Sequence, residues 1–242
     1  MILAAGYGKR MGNLTSNLPK CLLPLGGSTL LDMLLIKLAN EGMERIVINL
    51  HHQGEKIKKH LEHSTYRNPK ILFSKEENIL GTGGGIALAE RFFENETILV
   101  INSDVLTDMY VGEFFSFHPR KQSIASMAVF PSQNNNDYSL VLLDDAYNVR
   151  GFLGKGQAVP TNLKTGIFTG YQILTPEARA YLHPRFSSVI TDFYQPAIQK
   201  GQEIGAFLHS GTWIDLGTRE QYSEVNEKIN SGELRIRDFS GN

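Results

Sequence analysis

"MILAAGYGKRMG", residues 1–12, is the stretch that decides the fold. Met1 to Ala5 reads as a short apolar strand, and Gly6 and Gly8 then open a loop that carries Lys9 and Arg10. A strand running into a glycine loop sets backbone N–H groups and cations at one edge of a sheet, an arrangement suited to phosphates. Two familiar glycine loops do not fit. A dinucleotide loop needs a third glycine where Met11 stands, and an acid at the end of the second strand, where the chain reads Asn49-Leu50-His51. A P-loop needs Gly-Lys followed by Ser or Thr at a spacing that is absent here. What remains is a nest for a polyanion such as a nucleoside triphosphate, with charge from Lys9 and Arg10.

Working outward, Arg45 to Leu50, Ile71 to Phe73 and Thr97 to Ile101 are further apolar runs of strand type, continuous as in a parallel sheet covered on both faces. Helical patterns separate them. After Ser28, Leu30, Leu31, Leu34, Leu35 and Leu38 form one apolar stripe, Thr29 and Asp32 resemble a capping box, and Gly42 stops the helix. Gln53 to His63 and Gly83 to Asn95 read as the next crossovers. The expected class is α/β, a doubly wound, mostly parallel sheet of Rossmann-like type. The second half is less regular. A polar loop at residues 131–140 leads into an alternating hairpin that turns at Asp145-Ala146-Tyr147. A strand over Gly166 to Leu174, two short helices, a strand over Ile204 to Leu208 and a helix from Thr218 to Asn230 with a capping box at Thr218 and Gln221 follow. No repeat or linker divides the chain, so a single domain over 1–242 is expected.

Composition narrows the partners. With 242 residues, 41% hydrophobic and 20% charged, the chain can bury a sizeable core, and its net charge of -1 offers no broad field for nucleic acid or an anionic membrane. Small ligands are the expected partners. Cys21 is the only cysteine, which excludes an internal disulfide and suits a reducing compartment. No apolar run approaches the roughly 20 residues of a membrane span, and no basic and apolar leader precedes the first strand. The expectation is a cytoplasmic protein without nucleic-acid or membrane partners, a monomer or small homo-oligomer. In "NLPKCLLPL", residues 17–25, Pro19 and Pro24 stiffen a loop that presents Lys20 in a fixed place.

Leu3-Ala4-Ala5-Gly6-x-Gly8-x-Arg10-Met11, Pro19-Lys20-x-Leu22-x-Pro24, Leu80-Gly81-Thr82-Gly83-Gly84-Gly85, Asn102-Ser103-Asp104 and Trp213-Ile214-Asp215-Leu216-Gly217-Thr218 together resemble, in order, the motif series of sugar-1-phosphate nucleotidyltransferases. The resemblance implies a nucleotidyl group passed from a nucleoside triphosphate to a sugar 1-phosphate, with pyrophosphate leaving. The acceptor phosphate has its second pKa around 6, so it is already anionic near neutral pH and no general base is required. What the protein must supply is positioning and charge neutralisation. Arg10, Lys20 and Asp104 are the implied catalytic residues, and Asp104 and Asp215 the implied ligands of Mg²⁺, which takes oxygen donors and keeps several waters. Asp104 follows the apolar run "TILVI" at a strand's carboxyl end, where open α/β sheets place their ligands. Ser103 stands where the family usually has glycine.

The nucleotide is implied to lie against Leu3, Ala4, Ala5, Gly6, Gly8, Lys9, Gly81, Thr82 and Asn102, with Glu76 facing the base. A carboxylate accepts hydrogen bonds only, which favours UTP or GTP over CTP. The half from about residue 131 onward is expected to hold the sugar in a small β-rich subregion, through Asp137, Lys155, Thr169 and Gly170. The usual Phe-x-Glu-Lys-Pro is reduced there to Phe152-x-Gly154-Lys155-Gly156. Thr191-Asp192 is read as a helix cap. His51, His52, His60 and His63 are read as a strand end and a helix face, not a metal cluster. The alternative to an enzyme is a nucleotide or nucleotide-sugar sensor on the same fold, against which the intact Arg10, Lys20, Asp104 and Asp215 argue.

Overall fold

A computed structural model describes residues 1–62, 69–134 and 136–239. In chain order the elements are β1 (Ile2–Leu3), β2 (Pro24–Leu25), β3 (Ser28–Thr29), α1 (Leu30–Asn40), β4 (Arg45–Leu50), α2 (Gly54–Glu62), β5 (Lys70–Lys75), α3 (Gly81–Leu88), β6 (Ile98–Asn102), β7 (Val105–Thr107) and α4 (Val111–Phe117). Then come β8 (Ala125–Pro131), β9 (Leu140–Leu143), β10 (Val149–Leu153), β11 (Lys164–Leu174), α5 (Pro176–Arg179), α6 (Gln195–Gln199), β12 (Ile204–Leu208), β13 (Trp213–Asp215) and α7 (Arg219–Asn230). The α/β class read from the sequence holds. The chain forms two compact units, residues 1–81, 102–111 and 212–242 in the first and 82–101 and 112–211 in the second.

In the first unit β1, β4 and β5 pair in parallel, with Ile2 opposite Ile48 and Ile48 opposite Phe73. Every residue of β4 from Ile46 to Leu50 is buried, as its unbroken apolar run requires. α1 starts at Leu30 because the Thr29 side chain accepts from Asp32 N at 3.1 Å, and it stops before Gly42, whose φ of 83° is left-handed. The capping box of α7 is complete: Thr218 Oγ1 accepts from Gln221 N, and the Gln221 side chain accepts from Thr218 N. Two short antiparallel pairs, β2 with β3 and β7 with β13, add to this unit. A single apolar cluster joins Leu30 and Met33 of α1, Tyr222 and Val225 of α7, Leu106 of β7, and Met11, Leu23, Leu25, Leu216 and Phe239.

The second unit is built around β11, antiparallel to β6, β8 and β9, while β8 and β12 run parallel and β9 and β10 form the expected hairpin. The register of β11 against β8 shifts between Phe168 and Gln172, and Gly170 sits there at a φ of 90°. This is a bulge, in which glycine supplies the left-handed backbone. β8 is absent from the sequence reading because Ala125, Ser126 and Ala128 are small residues with weak strand preference. Thr191 is not a cap. Residues 190–194 form a π-type turn, Thr191 lies inside it, and the Ser188 side chain accepts from Ile190 N at 3.2 Å. Among the described residues no helix is long and apolar enough to cross a membrane.

Replacing Thr218 with alanine removes its side chain's half of the α7 capping box. The expected cost is about 1 kcal/mol, read as a lower urea midpoint with an unchanged slope.

Candidate active site

The glycine loop leaves β1 at Leu3 and tightens at once. Gly8 is left-handed at a φ of 63°, and a Cβ there would meet Thr15 Cγ2 at 3.0 Å, so a side chain would be both strained and tightly packed. Met11 N donates to Gly8 O at 2.9 Å, Thr15 Oγ1 donates to the same carbonyl at 3.0 Å, and Met11 is fully buried. With Met11 inside, Lys9 and Arg10 face outward. Lys9 Nζ lies 5.3 Å from the ring centre of Tyr7, whose hydroxyl meets His51 Nε2 at 3.2 Å. Gln53 Nε2 donates to Thr15 O at 3.0 Å and Ser16 O at 3.2 Å. The segment after β4 therefore holds both ends of the loop, and no sequence pattern announced Tyr7, His51 or Gln53 in that role.

Lys20 opens a single 3-10 turn between Pro19 and Pro24, closed by Leu22 N on Pro19 O at 2.9 Å and Leu23 N on Lys20 O at 3.1 Å. Its Nζ reaches Asp104 Oδ2 at 2.6 Å, with 12% and 26% of the two side chains exposed. The sequence-predicted cation and carboxylate thus meet directly. Behind Lys20 the Cys21 thiol is buried, and burial pushes its pKa up to about 12.

Asp215 comes to the same place through β7 and β13. Asp215 stands opposite Val105, and Leu216 N donates to Asp104 O at 2.9 Å, so the ribbon locks the backbones beside the two carboxylates together. A Cβ on Gly217 would lie 2.9 Å and 3.0 Å from the Asp215 oxygens and 3.1 Å from an Arg10 guanidinium nitrogen. A side chain there would press on the Asp215 carboxylate and the Arg10 guanidinium, so glycine leaves these two groups where they are. Ser103 is buried, with its N donating to Leu3 O at 3.2 Å, so it fits the position usually held by glycine. Asn102 ends β6. The two aspartates are hard oxygen donors, and Lys20 engages only one oxygen of Asp104, which is compatible with Mg²⁺ completed by waters and phosphate oxygens. Among the described residues no three or more His, Cys, Asp or Glu side chains cluster as metal ligands. His60 pairs with Asp32 at 2.9 Å, and His63 lies outside the described residues.

Glu76 is only 2% exposed, its Oε1 accepts from Asn49 Nδ2 at 2.6 Å, and its Oε2 accepts from Leu80 N at 2.9 Å. The sequence signal at Glu76 was spacing alone, which does not say where a side chain finds its protein partners. Ala4 and Ala5 are buried at the end of β1, and Gly81 follows Leu80 with a φ of 68°.

In the second unit, Thr82 Oγ1 accepts from Val189 N at 2.9 Å, and Gly83 N donates to Ser187 O at 3.0 Å. Thr169 is buried at the bulge, and its hydroxyl donates to Ala128 O at 3.0 Å. Asp137 and Lys155 are exposed in the turns before β9 and after β10. Between those turns is a cavity of about 340 Å³ lined by Ser139, Val141, Phe152, Phe168, Ile190 and Gln195, among others. Ser139 and Gln195 bring polar atoms to it, and neither stood out in the sequence.

A family model described as nucleotidyl transferase matches residues 1–232. The chain belongs to the nucleotidyl transferase family. It is 27% identical over 249 residues to a UTP–glucose-1-phosphate uridylyltransferase of Synechocystis, covering 97% of this chain and 64% of that protein. It is 25% identical to the D-glycero-alpha-D-manno-heptose 1-phosphate guanylyltransferase of Aneurinibacillus thermoaerophilus, covering 95% and 97%. The structure of HddC from Yersinia pseudotuberculosis complexed with GMP-PN superposes with a TM-score of 0.78 at 26% identity, covering 94% of this chain and 97% of that one. The chain spans 64% and 60% of the length of the first two curated relatives it matches.

The burial of Cys21 yields a chemical test. Only the thiolate reacts with alkylating reagents, so the folded protein should resist iodoacetamide through pH 8–9, where a free thiol near its ordinary pKa titrates. Unfolding in urea should restore ordinary reactivity, as followed by mass spectrometry.

Proposed function

We propose that this chain is a Mg²⁺-dependent sugar-1-phosphate nucleotidyltransferase using UTP or GTP. A sugar phosphate oxygen attacks the α-phosphorus in line, the new P–O bond forms, and the bond to pyrophosphate breaks. Lys9 and Arg10 face the outer phosphates. Lys20 faces the α-phosphate and the incoming sugar phosphate, where negative charge develops. Asp104 and Asp215 hold Mg²⁺, which supplies Lewis-acid neutralisation of phosphate charge when bound. Leu3 to Ala5, Gly6, Gly8, Gly81, Thr82 and Asn102 form the nucleotide side, and Asp137, Lys155 and Gly170 belong to the sugar side.

The single observation that supports this most is the pairing of Lys20 with Asp104 while the ribbon brings Asp215 to the adjoining backbone. A cation and two carboxylates beside a glycine loop suit transfer of an already anionic nucleophile, which needs charge placement and no base. Uridylyl- and guanylyltransferases among the relatives support the choice of UTP or GTP. The lone cysteine supports a reducing, cytoplasmic setting, and the near-neutral net charge supports action on small molecules.

Pyrophosphate release from a panel of triphosphates and sugar 1-phosphates tests the reading. Release should require a divalent ion and one matched pair, and no release with any pair would overturn it. Asp104→Asn and Asp215→Asn should each abolish turnover while far-UV circular dichroism stays unchanged.

Lys20→Ala should lower kcat on the order of 10²–10³-fold, the scale for losing one charge-stabilising donor, with a smaller change in KM for the triphosphate. A change in KM alone would make Lys20 a ground-state binding residue.

A further inference from the structure

The cavity of about 340 Å³ in the second unit is apolar on its walls and polar only at its rim. Val141 of β9 stands opposite Phe152 of β10 and opposite Gly166 of β11. Phe168 lies two residues beyond Gly166, so Val141, Phe152 and Phe168 share one face of the sheet. Ile190 closes the wall from the π-type turn. The Phe152 ring lies 6.1 Å from that of Tyr194, which is wholly buried, so the wall rests on the core. Among the described residues, no Asp, Glu, Lys or Arg side chain lines this cavity.

Polar groups are few here, and two of those nearby are already engaged. The Gly154 N–H donates to Gln157 Oε1 at 2.8 Å, and the Thr169 hydroxyl donates to Ala128 O at 3.0 Å. What is left is the Ser139 hydroxyl and the Gln195 amide. Both residues are exposed at the rim, and among the described residues neither side chain has a hydrogen-bond partner in the protein.

These features select among small ligands. A cavity of this size suits one monosaccharide. A fully hydroxylated sugar would press hydroxyls against the phenylalanine and isoleucine wall, where they lose hydration and gain no partner. A methyl group on the same wall gains from leaving water. An acylamido group meets both demands: its methyl is apolar, its N–H donates to the Gln195 carbonyl, and its carbonyl accepts from the Gln195 amide or the Ser139 hydroxyl.

We propose that this cavity recognises an N-acylated amino sugar, so that the acceptor is an acetamido-sugar 1-phosphate and not its fully hydroxylated parent. The acyl methyl packs on Phe152, Phe168 and Ile190, and Gln195 reads the amide. The proposal rests on the sugar-side role given above to Asp137, Lys155 and Gly170.

Matched pairs test it. Glucose, galactose and mannose 1-phosphates are compared with their 2-, 3- and 4-acetamido counterparts. Pyrophosphate release from UTP and GTP gives kcat/KM, and calorimetry with a non-reacting triphosphate analogue present gives dissociation constants. At least one acetamido sugar should exceed its parent about tenfold or more in both measurements, the scale for one added apolar group in a fitted pocket. Gln195→Ala, at an exposed helix end, should narrow that ratio to about threefold or less. Ile190→Thr, which keeps the branch at Cβ and puts a hydroxyl on the wall, should narrow it too. A general loss of folding or turnover lowers both members of a pair alike and leaves the ratio standing, so the ratio separates recognition from structure.

Parents that bind as well as every acetamido counterpart, binding of no sugar phosphate at all, or a ratio unchanged in either variant overturn the proposal. Selective binding of an acetamido-sugar 1-phosphate without pyrophosphate release upholds it and sinks the functional reading instead. Release confined to the hydroxylated sugars does the reverse.

Discussion

One apolar cluster in the first unit anchors four chemical groups at once. Met11, Leu23, Leu106 and Leu216 are buried in it, and they stand one to three residues from Arg10, Lys20, Asp104 and Asp215. These groups come from distant parts of the sequence, and nothing local would bring them together. Burying their neighbours against Leu30 and Met33 of α1 and Tyr222 and Val225 of α7 fixes where each backbone passes. Packing of this density transmits small displacements, so the positions of the charges depend on hydrophobic side chains that make no chemical contact themselves.

Above that cluster lies a partly buried ion pair. The Lys20 and Asp104 side chains remain only 12% and 26% exposed, so the desolvation of both charges offsets much of their attraction. The pair's geometry matters more. Lys20 is held by a proline-bounded turn and Asp104 by a strand end, so the ammonium and the carboxylate keep their places. The contrast with Glu76 is instructive. That carboxylate is buried and meets two donors, which makes it part of the framework.

The second unit shows how irregular backbone shapes a cavity. The bulge at Thr169 and Gly170 interrupts β11 against β8, and Phe168 beside it lines the pocket with Phe152 and Ile190. Tyr194 is wholly buried and its hydroxyl donates to Gln172 Oε1 at 2.8 Å. Burial raises its pKa well above the ordinary value, so it stays a neutral donor on that framework.

The sequence by itself determined the α/β class, the caps of α1 and α7, the bounds of β4 and β12, and the residue types of the proposed site. Each of these is written in a local pattern: an unbroken apolar run, a threonine three residues before its partner, a glycine loop, a lysine between prolines. Only the tertiary structure decided how Asp215 comes beside Asp104, because the short β7 and β13 ribbon has too few residues to carry a periodic signal and exists only as a pair. It also decided that Glu76 and Thr169 turn inward. A polar side chain goes where its hydrogen-bond partners are, and those partners, Asn49 and Ala128, lie on other strands whose approach no local spacing encodes.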